Sequence, residues 1–136
     1  MAEGTRYLIL SLQGESYAIP ISRLLEITVP RDIQKDKGLS EVFEGKCEFR
    51  GRFVPVLNLK KIFNLPGNKG AALLMVQSAK GTMGLLVDEV SEIFDTAQKP
   101  APVPAGVLNP SMRYYGGILR HRDSLVLLLN EDGLLP

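Results

Sequence analysis

Asp88, Glu89, His121 and Asp123 are the side chains best suited to acid and base work in this chain, and Ser111 or Ser124 would be the nucleophile beside them. No spacing gathers them. The chain has one His, His121, one Cys, Cys47, and no Trp, which excludes a two-histidine metal motif and an intramolecular disulfide. A Gly-rich phosphate loop and a nucleophile elbow are missing as well, so neither catalysis nor a cofactor or metal is expected. Cys47 has no fixed basic neighbour to activate it and reads as inert, and His121, in a charged turn, reads as solvated.

Arg50 suggests a different chemistry. It belongs to Phe49-Arg50-Gly51-Arg52-Phe53-Val54-Pro55-Val56-Leu57-Asn58-Leu59, where an Arg-Gly turn leads straight into a strand carrying a proline. Pro cannot donate a ladder hydrogen bond, so the strand is expected at a sheet edge or bulge. An edge strand is an open surface, and a guanidinium on a rigid turn beside it suits recognition of a protein partner better than catalysis. The plainer alternatives are a solvated turn charge at Arg50, and backbone roles for Gly45 and Gly51 at positive φ.

Composition narrows the partner class. The 136 residues are 45% hydrophobic and 23% charged, as in one ordinary globular domain, and the net charge is +1 with 16 basic and 15 acidic residues interspersed. That balance gives no electrostatic case for nucleic acid or anionic lipid. Tyr7, Tyr17, Phe49, Phe53, Tyr114 and Tyr115 could stack bases in a small barrel, but basic residues do not gather around them. Met1 to Arg6 lacks a basic region followed by an apolar run, and no apolar stretch reaches the roughly 18 residues of a membrane span. A cytoplasmic protein without membrane insertion is expected.

The elements read as short strands. Arg6 to Leu12 alternates with Leu8, Leu10 and Leu12 on one face, Gln13 to Ser16 turns, and Tyr17 to Pro20 returns. Ile21 to Val29 is expected as a single helical turn followed by a strand. Pro30 to Gly38 is a polar loop, and Ser40 to Gly45 is expected as a short helix with Ser40 as N-cap and Gly45 ending it. Phe53 to Leu59 is the proline-bearing strand, Lys60 to Leu65 gives one turn, and Ala71 to Val76 is apolar enough to be buried on both faces. Met83 to Asp88 follows a hairpin turn, with Val90 to Phe94 expected to continue it. Pro100 to Pro104 is an extended connector, Tyr114 to Leu119 and Ser124 to Leu129 are the last strands, and little room is left for a long helix before Pro136.

Many short strands at intervals of about ten residues indicate an all-β barrel or sandwich. An internal echo sharpens this. Ile19-Pro20-Ile21 with Leu24 and Ile27 recurs as Val54-Pro55-Val56 with Leu59 and Ile62, and more loosely as Leu85-Leu86-Val87 with Val90 and Ile93. Each copy reads as a strand followed by a helical turn that plugs a barrel end, giving two small barrels that share an interface. Their cores are expected to include Leu8, Leu10, Val56, Leu74, Val76, Leu86, Val87, Ile118, Val126 and Leu128.

With these residues in order, the chain resembles the CheW family of chemotaxis coupling proteins over nearly its full length. The resemblance rests on Tyr17 to Ile21 followed by Leu24 and Glu26-Ile27, on Gly45, on Arg50-Gly51 with Val54 to Leu59, on Gly84 to Val90, on the proline run, and on Gly117-Ile118 with the strand to Leu129. It implies two intertwined five-stranded barrels of SH3 type, no catalysis, and an adaptor between transmembrane chemoreceptors and the regulatory domain of the histidine kinase CheA. A divergent binding module of another signalling or motility assembly is the alternative. Carried over by position, Glu26 and Arg50 match the family's acidic and basic contact positions and are expected to pair, with Leu24 and Gly45 flanking them. Val42, Phe43, Phe53 and Val54 are expected to form a partly exposed kinase-facing patch. The chain departs from the family in having Glu48 for Asn, Asn58 for Asp, and no proline-rich pattern from Arg31 to Leu39.

Overall fold

A computed structural model describes residues 4–35, 38, 41–67, 70–103 and 112–135. Ten strands form two five-stranded sheets. The strands are β1 (Thr5–Leu12), β2 (Glu15–Pro20), β3 (Leu24–Thr28), β4 (Phe43–Phe49), β5 (Arg52–Asn58), β6 (Ala72–Ser78), β7 (Gly81–Val87), β8 (Glu89–Thr96), β9 (Tyr115–His121) and β10 (Ser124–Leu129). The sheet orders are β8-β1-β2-β10-β9 and β3-β6-β7-β5-β4. After hairpin β1–β2, a 3-10 turn over Ile21–Arg23 carries the chain into the second sheet, and after hairpin β6–β7 a bend at Asp88 carries it back. The barrels are therefore intertwined.

The two sheets match residue for residue in their hydrogen-bond registers. Leu8 pairs with Ile93 where Leu74 pairs with Ile27, and the parallel pair Leu128–Ala18 answers Val56–Gly84. Strand β3 bulges after Leu24, as β8 does after Val90. Helix α1 (Leu59–Ile62) after β5 answers helix α2 (Glu131–Leu134) after β10. Gly45 answers Gly117. A Cβ on Gly45 would stand 2.1 Å from the Gln34 carbonyl oxygen, and one on Gly117 would meet Pro100 at 2.6 Å, because a strap of chain crosses each glycine and bridges the next residue. The bridges are Gln34 to Lys46 and Ala101 to Ile118.

Three apolar clusters follow from strand alternation. Tyr7, Ile9, Ala18, Leu119, Val126 and Leu128 fill the first barrel, and Cys47, Val54, Val56, Leu73, Met75 and Leu86 the second. The opposite faces of the same strands, among them Leu8, Leu10, Ile19, Leu74, Val76, Leu85 and Val87, merge into one core between the barrels. Strands β1 and β6 are thus buried on both faces.

Several expectations are corrected. Phe43 to Phe49 is a strand, so no helix ends at Gly45, and its proposed cap Ser40 lies outside the described residues. A helix there would leave the Arg50 hairpin without its first strand. Strand β5 is not an edge: it lies between β4 and β7, although only Val56 to Asn58 pair with β7. Pro55, opposite Lys46, precedes that ladder, where its missing N–H costs nothing. Val90 to Phe94 does not continue β7 but enters the other sheet, and no helical turn follows β7. The exact echo of Ile19-Pro20-Ile21 is consequently Leu85-Leu86-Val87, while Val54-Pro55-Val56 answers Val126-Leu127-Leu128. Ile118 is only half-buried, because alternation gives the interior place to Leu119.

Polar clasps fix one barrel to the other. The Asp88 carboxylate accepts the Gln13 amide at 2.8 Å and pairs with Lys60, whose side chain is 6% exposed, while Asp132 accepts the Ala79 amide at 2.6 Å. Both amides belong to hairpin turns, of β1–β2 and β6–β7. Burial alone would raise the Asp88 carboxyl, but the Gln13 amide and Lys60 outweigh it and hold the group below its ordinary value. A depressed folded pKa contributes stability that is fully present above the unfolded value near about pH 4 and is lost as pH falls through the folded one. Asp88→Asn is expected to lower the unfolding free energy by about 1 to 3 kcal/mol in neutral buffer, with the deficit shrinking in acid. Urea denaturation at both pH values checks this; a deficit independent of pH would remove the ionic clasp. By the same measurement Leu74→Ala should cost about 2 to 5 kcal/mol, and a neutral result would contradict the shared core.

Candidate partner-binding surfaces

Arg50 and Gly51 both have positive φ, 51° and 81°, which is the two-residue hairpin turn whose twist suits the flanking strands. Left-handed backbone is unfavourable for a residue with a Cβ, so Arg50 is held by the β4–β5 pairing rather than by local preference. Its guanidinium lies 4.7 Å from the Phe49 ring centroid. Next along the surface Phe53 is 54% exposed, with the Lys46 ammonium 5.1 Å from its ring. Phe49, Arg50, Arg52 and Phe53 line a cavity of about 390 Å³ together with Leu25 of β3. Val54 also lines it but is a buried residue of the barrel interior. Gly45 is buried under the Gln34 strap, and Leu24 is half-buried against the shared core.

Glu26 is exposed on β3, opposite Met75, and among the described residues no ion pair joins it to Arg50. The expected pair occurs instead at the matching place in the other sheet. There Glu92, which answers Glu26, lies 2.6 Å from His121 Nε2 and 3.2 Å from Arg122, which answers Arg50. The His121 ring packs 4.2 Å from Phe94. These contacts tie β8 to the β9–β10 hairpin across the two edges of the first sheet. In the second sheet Phe49 occupies the histidine's position and offers a carboxylate no hydrogen bond. Its ring holds Arg50 instead.

A larger groove, about 760 Å³, lies between α1 and the start of β4. Half-buried Val42 and Phe43 line it, with Glu41, Glu44, Lys60 and Lys61. The buried Glu44 accepts from Lys61 at 3.1 Å and from the Asn58 side-chain amide at 2.8 Å, while Asn58 caps α1 by accepting the Lys60 amide. An aspartate at position 58 could cap but could not donate to Glu44. The asymmetry between barrels has a steric cause. At the Lys61 position α2 has Gly133, where a Cβ would stand 2.0 Å from the Arg113 carbonyl oxygen, so the chain closes on α2 but is kept away from α1.

The residues considered for chemistry are scattered. Asp88 is in the clasp, Glu89 is exposed at the start of β8, His121 is engaged by Glu92, Asp123 is in the β9–β10 turn, and Ser124 is exposed at the start of β10. Ser111 lies outside the described residues. Among the described residues no group of three His, Cys, Asp or Glu could hold a metal ion. The Cys47 thiol is buried, which pushes its pKa up and disfavours the thiolate. The aromatic residues stack on one another: Phe63 lies 5.6 Å from Tyr17 and 5.5 Å from Tyr115, and burial pushes the Tyr17 hydroxyl to about 12. Glu92, Lys61 and Glu44 were not singled out from sequence. The internal echo, taken with the right partner strand, points to the first of them.

The chain matches the CheW-like domain family model over residues 6–136. It is 24% identical over 136 residues to the chemotaxis protein CheW of Klebsiella aerogenes, covering 97% of this chain and 82% of that one. It is 29% identical to the chemotaxis protein CheW of Helicobacter pylori, covering 89% of this chain and 75% of the relative. Among solved structures it superposes on the scaffolding protein TtCheW from Thermoanaerobacter tengcongensis with a TM-score of 0.88 at 24% identity, over 98% of this chain and 88% of the other. By the extent of the family match, which takes in both sheets and both candidate surfaces, the chain belongs to the CheW-like domain family.

Proposed function

We propose that this protein is a chemotaxis adaptor that couples transmembrane chemoreceptors to a CheA-type histidine kinase, working in the cytoplasm and by its surfaces rather than by catalysis. Family membership supports the adaptor role, since the relatives are chemotaxis CheW proteins. One observation carries the assignment of surfaces. The corner that is closed by ionic contacts in the first barrel is open in the second, where it presents Glu26, Arg50 and Phe53 beside a cavity. Exposed charge beside an exposed aromatic ring is a combination that anchors protein interfaces and adds little to folding.

In this reading the Arg50 hairpin, with Glu26 and Leu24 on β3 at the opposite edge of the same sheet, contacts the cytoplasmic tip of the receptor. Phe53 and the Val42–Phe43 groove face the regulatory domain of the kinase. Gly45 and Val54 act from below, Gly45 by letting the Gln34 strap close over β4 and Val54 by packing the barrel interior beneath the strand that carries Phe53. The distinction matters because a side chain inside the barrel cannot present itself to a partner.

Arg50→Ala is expected to change the unfolding free energy by less than about 1 kcal/mol, the scale of an exposed cation–π contact. It should weaken binding to a purified receptor signalling tip by about tenfold or more. Calorimetric melting and a titration against the tip decide this, and a large loss of stability with unchanged binding would make Arg50 structural. Val42→Asp should block binding of a CheA-type regulatory domain while sparing the receptor contact. If both partners still bind the variant, the groove is not the kinase face.

A further inference from the structure

The pairing parity of β4 leaves one piece of backbone without a partner. Phe49 and Arg52 close the two-residue hairpin, so Phe49 and Cys47 direct their N–H and C=O groups to β5, while Lys46 and Glu48 direct theirs to the outer edge. Lys46 is satisfied there by Gln34, through bonds of 2.7 and 2.8 Å. Glu48 is not: among the described residues neither its N–H nor its C=O has a hydrogen-bond partner.

The first barrel shows what belongs at that place. Arg120, which answers Glu48, donates its amide to Gln98 Oε1 at 2.8 Å and accepts from Gln98 Nε2 at 2.8 Å. The side-chain amide of Gln98 acts as one more rung of a β-ladder, and two residues further along the hairpin Glu92 engages Arg122. Gln98 stands three residues before the strap bridge at Ala101. Three residues before the matching bridge at Gln34 stands Arg31, whose guanidinium has only donors and cannot accept the Glu48 amide. The second barrel therefore lacks both closing contacts of the first, the amide rung and the carboxylate on the turn arginine.

From these matched vacancies we infer that the outer edge of β4, from Glu48 to Arg50, receives an extended segment of a protein partner. That segment supplies an amide to the Glu48 backbone, a carboxylate to Arg50 and an apolar side chain to the 390 Å³ cavity lined by Leu25, Phe49 and Phe53. Charge complementarity favours an acidic segment, because the exposed guanidinium groups of Arg50 and Arg52 both line that cavity. Strand addition gives affinity through the main chain, and the cavity and the arginine give selectivity through side chains. The inference rests on the adaptor reading and adds the conformation and charge of the segment that docks at this corner.

Amide hydrogen exchange of the whole protein, followed residue by residue by NMR, tests it. In the free protein the Glu48 amide should exchange on the order of tenfold or more faster than Arg120, and it should become protected when a CheA-type regulatory domain or a receptor signalling tip binds. Arg50→Gln should weaken that complex and Arg50→Lys should restore part of the affinity, since lysine keeps the charge that a carboxylate needs. Binding that leaves Glu48 unprotected, or that is equal for the Gln and Lys variants, overturns the docking mode while the adaptor reading stands. If neither partner binds at all, both fall together.

Discussion

The burial of β1 and β6 on both faces is the constraint on which the molecule depends. Each strand gives one row of side chains to its own barrel and the other row to the core between barrels. The second row cannot be satisfied by one barrel alone. The exchange of β3 and β8 between sheets enforces this, because a barrel detached from its neighbour would lose a strand supplied across the interface as well as half of its buried surface. A rigid body of this kind keeps surfaces on both barrels in fixed relation, which an adaptor requires.

Matching registers make the asymmetries informative. Two places built on the same backbone differ through a few substitutions, so each difference has an internal control. Phe49 for His121 removes a partner for the strand carboxylate, and Arg31 for Gln98 removes an acceptor for the edge amide. Lys61 for Gly133 keeps the chain away from α1 and opens a groove where α2 is closed. All three changes fall on the second barrel and leave it the more open of the two. The exposed apolar residues differ less: Ile27 and Phe53 on one barrel answer Ile93 and Leu125 on the other, and among the described residues Val29 alone, where the first barrel has Asp95, has no apolar counterpart. Polar closure, more than apolar exposure, distinguishes the two ends.

The short-range features were legible in sequence because their causes are local. Alternation gave β1 and a continuous apolar run gave β6, Gly and Asn or Asp marked turns, and the apolar triplet before a helical turn marked the barrel ends after β2 and β5. The apolar content of Ala71 to Val76 foretold double burial. Ser40 to Gly45 failed as a helix because Gly45 is required by the crossing strap, a contact with Gln34 that no local pattern announces. Pro55 was assigned to an edge strand because proline excludes a ladder bond, but a strand can be paired over half its length and satisfy the same rule.

The sequence by itself determined the class of the fold, most of its strands, the family resemblance and the placement of Arg50 on a turn, all of which depend on residue type and near neighbours. Tertiary structure decided which strands meet, that Glu92 rather than Glu26 is bonded to its arginine, and that Glu48 is left with an open backbone edge. The reason is that these outcomes depend on pairings between segments far apart in the chain. A carboxylate reads the same in sequence whether the residue facing it is His121 or Phe49, and only the fold determines which one it meets.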